Sequence, residues 1–122
     1  MPMRTKDRSP SLGEFEIFVM SAIIAASSDS YGVTVHEQVE KLTGRDVAQG
    51  AVYTTLMRLE EKGLVRSWLG EASPERGGKA KRFYSVEAAG QRSLRAALTS
   101  MHRASRAIGL TGVTFNDSGW RL

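Results

Sequence analysis

The chain of 122 residues contains no cysteine. Disulfide bonds, iron–sulfur clusters and thiolate zinc sites are therefore excluded, and a reducing compartment suits the chain better than an oxidising one. The chain also lacks the length for two ordinary domains, although it is long enough for one domain with a modest core. We expect a single domain in the cytoplasm.

A long apolar segment is missing as well. The apolar run at residues 17–28 is too short to span a bilayer. It follows basic residues, as the apolar part of a signal peptide would, but Glu14 and Glu16 separate it from those charges. We therefore predict neither secretion nor membrane contact. A first helix capped by Ser11 with Glu14 is predicted instead, and its buried side is Leu12, Phe15, Val19, Ala22 and Ile23.

The sequence also lacks signatures of catalysis. His36 and His102 fall on different predicted helices, and neither has a carboxylate or histidine at the spacing of a known metal motif. No G-x-S-x-G motif and no glycine-rich phosphate loop occurs. We expect no enzymatic activity, no metal and no cofactor.

What the chain does have is an excess of positive charge. Lys and Arg number 17 against 13 Asp and Glu, which gives a net charge of +4. Such an excess favours polyanionic partners without proving them, because many basic proteins bind nothing acidic. Several of these cations lie in residues 1–10, which we interpret as a flexible basic arm.

Apolar spacing and breaker residues divide the rest of the chain into elements. Residues 32–43 and 49–62 each have the pattern of a helix that ends at a glycine. Residues 64–69 and 81–86 are rich in β-branched and aromatic residues, and proline and glycine between them predict a hairpin with a long tip. Residues 88–108 return to a helix. The predicted fold class is mainly α with a small β-hairpin.

The helix at 49–62 has an unusual exposed face. A helix that only had to stay soluble would show Glu and Lys, but the front half of this one shows Gln49, Tyr53 and two threonines. In a helix-turn-helix unit the second helix enters the DNA major groove. Taken alone, this helix leaves open that Tyr53 packs on the hairpin and that the threonines only face water. The residues that would reach base edges or phosphates are Gln49, Tyr53, Thr54, Arg58 and Lys62.

The hairpin tip carries cations around two glycines. Glu71 and Glu75 dilute the tip, but every charge from residue 76 to residue 82 is positive. A basic hairpin beside an inserted helix is typical of the wing of a winged-helix domain, where glycine lets the strands approach the DNA backbone. The alternative is an adaptor that binds proteins, which has no need for these cations. The predicted wing residues are Arg76, Gly77, Gly78, Lys79, Lys81 and Arg82.

The last predicted helix has an apolar seam suited to another helix. Its members are Leu94, Leu98, Met101 and Ile108, with Ser105 in the gap of the series. The seam could instead pack on the first helix of the same chain, and both arrangements can hold. We predict a winged-helix domain at 11–87, a dimerisation helix at 88–108 and a flexible tail at 109–122.

Longer strings resemble one family. The string "GAVYTTLMRLEEKGLV" followed by "ERGGKAKRFYSVEAAG", together with "LGEFEIFVM" and "YGVTVHEQVEKLTG", resembles the PadR family of bacterial transcriptional regulators over about residues 12–108. The resemblance implies a homodimeric winged-helix DNA binder, usually a repressor, and a single C-terminal helix is typical of the shorter class. By position, Tyr53 would be the family's recognition-helix tyrosine, and its wing would be Gly77, Gly78, Lys79 and Arg82.

The resemblance also defines the expected partners. They are double-stranded DNA with a pseudo-palindromic operator and a second copy of the chain. Some members of the family bind small aromatic effectors between subunits, often against aromatic side chains. The last helix of this chain has no aromatic residue, so a small-molecule effector is not supported.

Overall fold

The computed structural model describes residues 12–71 and 80–110, and the backbone of residues 114–116 and 119–121. Three helices come first: α1 (Glu14–Ala26), α2 (Gly32–Thr43) and α3 (Gln49–Glu61). A hairpin and a long helix follow: β1 (Val65–Leu69), β2 (Arg82–Val86) and α4 (Ala88–Ala107). Two short strands close the described chain: β3 (Thr114–Asn116) and β4 (Gly119–Arg121). The predicted fold class, mainly α with a small hairpin in a winged-helix arrangement, is confirmed.

The hairpin is attached to the helices through the residues just before α2. β1 and β2 pair in antiparallel register, with Val65 opposite Val86. Tyr31 forms a bridge with Phe83, and the Tyr84 amide donates to the Ser30 carbonyl over 2.8 Å. Because side chains alternate along a strand, Tyr84 faces the helices and Phe83 lies on the other face of the hairpin.

The core lies between the first three helices and the hairpin. Its fully buried members recur at helical spacing on α1, α2 and α3, which explains why these segments fold as amphipathic helices. The largest of them are Val19, Met20, Val35, Val39, Val52, Leu56, Leu59, Leu64 and Val65. One expectation about this pattern was wrong. Thr55, one of the two threonines predicted on the exposed face of α3, is buried because it lies on the same arc of α3 as Val52 and Leu59. Leu42 is exposed in the last turn of α2.

The start of α1 differs from the prediction. The helix begins at Glu14 with Gly13 as its N-cap, whereas Ser11 lies outside the described residues. The Gly13 amide donates to Glu16 Oε1 over 2.9 Å. Glu16, rather than Glu14, therefore accepts from the backbone amide at the N-terminus of the helix, which has no partner within the helix. Glu16 is buried, and its other oxygen accepts from Lys62 Nζ over 2.8 Å.

Helix α4 crosses close to the start of the hairpin. A Cβ on Gly90 would lie 2.8 Å from Val86 Cγ1 and 3.1 Å from the Leu64 carbonyl carbon, so only glycine permits this crossing. Beyond α4, residues 114–116 and 119–121 pair as antiparallel strands, which nothing in the sequence pattern indicated. The mobility predicted for the tail stays a prediction. Among the described helices, none is both long and apolar enough to span a membrane.

Candidate nucleic-acid interface

Two side chains of α2 form hydrogen bonds with the turn between α2 and α3. His36 Nε2 lies 2.6 Å from the Val47 carbonyl oxygen, to which it must donate because a carbonyl only accepts. The Val47 amide donates to Glu40 Oε2 over 2.9 Å. Gly44 ends α2 at φ +72°, a conformation that favours glycine. These contacts fix where α3 begins.

The front half of the outward face of α3 is open and uncharged. Gly50, Thr54 and Met57 lie at helical spacing along its centre, and Met57 is 61% exposed. A Cβ on Gly50 would meet no atom of the described residues within 4 Å, so packing within the chain does not require glycine there. Neither Gly50 nor Met57 was predicted from the sequence, although their spacing from Thr54 could have revealed them.

The sequence left open whether Tyr53 packs within the chain or is exposed to a partner, and in the structure it does both in part. It is 38% exposed, and its ring rests against the first residue of α2. A Cβ on Gly32 would lie 2.7 Å from Tyr53 Cε1, so the glycine is needed to admit the ring. Gln49 Nε2 donates to the Tyr53 hydroxyl over 3.1 Å. Tyr53 is therefore a packed residue that stays partly exposed, and its hydroxyl lies beside both Gly32 and Gln49.

A groove of about 260 Å³ runs between the start of α2, Tyr53 and β2. Arg82 and Tyr84 line its hairpin side. Burial raises the pKa of Tyr84 above its ordinary value, even though the nearby Arg82 charge opposes this, so its phenol stays protonated at neutral pH. Arg82 is exposed, and its Nη1 donates to Ser67 Oγ over 2.9 Å. The groove therefore joins the front of α3 to two cations at the hairpin, Lys81 and Arg82.

Only part of the predicted set of DNA-contacting residues comes together on this side. Gln49, Tyr53 and Thr54 share the front of α3, while Arg58 is exposed on the flank facing α1. Arg76, Gly77, Gly78 and Lys79 lie outside the described residues.

Lys62, which was predicted to contact phosphate, forms an ion pair within the chain. Its ammonium is held by the buried carboxylate of Glu16, because residue 62 lies one turn beyond Arg58 on the flank that faces α1. Burial raises the pKa of the Glu16 carboxyl, but the hydrogen bonds from Lys62 and the Gly13 amide and the nearby Arg58 charge outweigh it. The resulting pKa is below the ordinary value. Lys62 therefore has a partner within the chain, and its predicted contact with phosphate stays a prediction.

A second candidate surface runs along α4. Leu94 is buried in the same chain, but Leu98 and Met101 are about half exposed and Ile108 is 71% exposed. An open, mostly apolar cavity of about 460 Å³ lies beside Leu94 and Leu98, and Ile24 of α1 forms its far wall. The described part of the chain thus covers only the first residue of the predicted seam. Ile24 extends this surface and was not among the residues predicted for it.

Metal binding finds no support in the described part of the chain. Residues 12–71 and 80–110 contain no group of three His, Asp or Glu side chains placed to hold an ion. His36 is engaged by the turn, and His102 lines the cavity beside α4.

Comparison with known proteins gives one family. A model of the transcriptional regulator PadR-like family matches residues 21–96. A PadR family regulator from Clostridium difficile is 21% identical with a TM-score of 0.63, and the match covers 79% of this chain and 95% of that one. A PadR family regulator from Eggerthella lenta is 23% identical with a TM-score of 0.60, and the match covers 75% of this chain and 77% of that one. The ORC1 protein of Aeropyrum pernix, solved in complex with DNA, is 20% identical with a TM-score of 0.60. That match covers 79% of this chain and 26% of the ORC1 chain.

The two kinds of match carry different weight. No curated protein sequence matches the chain. At these identities the solved structures show the fold alone, whereas the family model covers more than half of the chain. The chain belongs to the PadR-like family of transcriptional regulators.

Proposed function

We propose that this protein is a sequence-specific DNA-binding repressor that acts as a homodimer on a pseudo-palindromic operator. The observation that carries the proposal is the front of α3. Its centre holds a glycine that no packing within the described residues requires, and it shows hydroxyl and amide groups where a solvated helix would show charge. Such a face suits close approach to base edges in the major groove.

The contacts divide between bases and phosphates. Thr54, Gln49 and the Tyr53 hydroxyl present hydrogen-bonding groups on the front of α3, where base edges would lie. Arg58 and Arg82 are exposed on either flank of this face, at positions suited to the phosphate backbone. The wing residues Arg76 and Lys79 are proposed as further phosphate contacts from their place in the sequence.

The homodimer is supported by the uncovered seam of α4. A 20-residue helix with Leu98 and Met101 exposed, followed by the exposed Ile108 at its C-cap, is stabilised when a second helix covers these side chains. Two copies joined about a two-fold axis would present two α3 helices to half-sites one or more helical turns apart. An operator with two-fold symmetry follows from this arrangement.

The test is selection of bound sequences from a random pool of DNA duplexes. We expect an enriched site with two similar halves in inverted orientation. Thr54→Ala should alter the preferred bases, while its matched control Thr43→Ala, in α2 and away from the α3 face, should enrich the same site. Failure to enrich any sequence would contradict the proposal.

Salt dependence separates this function from that of a protein-binding adaptor. Displacement of counterions from phosphates makes DNA affinity fall by about a hundredfold or more between 50 and 200 mM salt when several contacts are made. An adaptor would show no such dependence on DNA. Repression itself is tested by placing the selected site over a reporter promoter, where activation would contradict the repressor assignment.

A further inference from the structure

The face of the hairpin that points away from the helices carries a continuous row of rings. The Trp68 and Phe83 rings stack with centroids 6.1 Å apart and planes at 18°. The Phe83 and Tyr31 rings meet edge to face at 5.7 Å and 67°. We call Trp68, Phe83 and Tyr31 the aromatic row. It runs from β1 across β2 to the residue that precedes α2.

A cation lies over the ring at each end of the aromatic row. Arg66 Cζ lies 4.7 Å from the centroid of the Trp68 ring, and Lys81 Nζ lies 3.7 Å from the centroid of the Tyr31 ring. Cations at these distances are attracted by the negative face of the ring. Lys81 was predicted from the sequence to contact phosphate, but in the structure its ammonium lies on an aromatic ring.

The row connects the base of the hairpin to the helix-turn-helix unit. The Gly70 amide donates to the Lys81 carbonyl over 2.7 Å, which closes the base of the wing. A Cβ on Gly70 would lie 2.6 Å from Phe83 Cε1, so the glycine leaves room for the ring. Tyr31 is the N-cap of α2 and is followed directly by Gly32, against which Tyr53 packs. Two adjacent residues therefore hold the wing on one side and the recognition helix on the other.

Lys81 and its neighbour Arg82 both line the groove beside Tyr53, but their side chains are placed differently. The Lys81 ammonium lies on the ring of Tyr31, which also lines the groove, whereas the exposed Arg82 side chain lies on the face of the hairpin that carries Tyr84. The hydrogen bond from Arg82 to Ser67 Oγ lies on the groove side of the hairpin. Of these two cations, Lys81 is the one placed on an aromatic ring.

We propose that Lys81 is a positioning residue, which anchors the wing to the start of α2 through Tyr31 and does not bind phosphate. The aromatic row then fixes the angle between the wing and α3, so that both reach one DNA duplex. Sites of this kind need their supporting residues held to within a fraction of an ångström. The role in DNA binding rests on the function proposed above, whereas the anchoring contact does not.

The anchor is tested by thermal unfolding of the full chain. Lys81→Met keeps the aliphatic stem and removes the charge, and it should lower the Tm by about 2 to 5 °C. In a chain that also carries Tyr31→Leu, the same substitution should cost nothing further, because the ring is gone. Tyr31→Phe keeps the ring and should restore the effect. Equal losses from Lys81→Met with and without the ring would overturn the anchor.

The positioning role is tested by salt titrations of DNA binding. Lys81→Met and Tyr31→Leu should each weaken binding about two- to fivefold per subunit and leave the slope against salt unchanged. Arg82→Met is the matched control, and it should lower the slope by about one unit for each phosphate that is no longer neutralised. A lower slope for Lys81→Met, or no effect of Tyr31→Leu, would overturn the positioning role. If the unaltered protein bound no DNA, the proposed function would fail, and the thermal cycle would still decide the anchor.

Discussion

Gly50→Ala should raise stability and weaken DNA binding, two effects that a single methyl group seldom produces together. A Cβ on Gly50 meets no atom of the described residues within 4 Å, and Gly50 is not among the described glycines with positive φ. The substitution therefore introduces neither a clash nor strain. Alanine is preferred over glycine in a helix by about 0.5–1 kcal/mol, so the Tm should rise by about 2 to 4 °C.

The effect on DNA has the opposite sign because the added methyl lies on the reading face. If the front of α3 approaches the duplex closely, the methyl occupies space that the DNA needs, and overpacking of this kind costs about 1–3 kcal/mol. The dissociation constant for the selected site should then rise by about 5- to 150-fold for each half-site. Calorimetric unfolding and a fluorescence-based DNA titration measure the two effects on the same preparation.

Ala51→Gly provides the control, since it removes a methyl from the next residue of the same helix turn. Ala51 is exposed but lies towards the flank of α3, away from the line of Gly50, Thr54 and Met57. Its Tm should fall, while its DNA affinity should stay that of the unaltered chain. If Gly50→Ala bound the selected site as tightly as the unaltered protein, the inference that the front of α3 closely approaches DNA would be refuted.

Three further predictions concern the seam, the first helix and the recognition tyrosine. Leu98→Asp should leave a monomer in light scattering at micromolar concentration, because it places a carboxylate in the exposed seam; a monomeric unaltered protein would contradict this. Since the pKa of Glu16 is lowered in the fold, its contribution to the free energy of unfolding is complete above the ordinary glutamate pKa and is lost as pH falls through the folded value. Glu16→Gln should therefore make the Tm fall less steeply when the pH is lowered from about pH 7 to about pH 3. Tyr53→Phe should keep the Tm, whereas Tyr53→Ala should lower it by emptying the space beside Gly32. Both variants should lose about 1–3 kcal/mol of preference for the operator over random DNA. An unchanged preference in both variants would exclude base reading by the hydroxyl.

The elements could be predicted because their signals are local. Gly44 and Gly63 have φ values of +72° and +76°, so each marks a helix end that can be identified from its own few residues. The range predicted for α2 agrees with the structure, and that for α3 ends one residue later than observed. The burial of Thr55 was also within reach, because it lies three residues after Val52 and four before Leu59.

The roles of the individual cations could not be predicted because they depend on distant partners. Lys62 meets a glutamate 46 residues earlier in the chain, and Lys81 meets the ring of Tyr31 at the start of α2. Neither contact leaves a periodic trace in the sequence, since each arises only once the helices and strands have packed. The sequence showed where positive charge is dense, but not which charges the fold itself uses.

This internal use of charge changes how a basic composition should be interpreted. Lys62 lies against Glu16 at 2.8 Å, Arg66 lies 3.6 Å from Glu87, and Lys81 lies on an aromatic ring. Each of these cations has a partner within the chain, although the net charge of +4 counts all of them equally. A surface proposed to bind DNA is better recognised from the side chains that it exposes together. On the front half of α3 those side chains are uncharged, and this is why we base the proposal of DNA reading on that half and not on the excess of Lys and Arg.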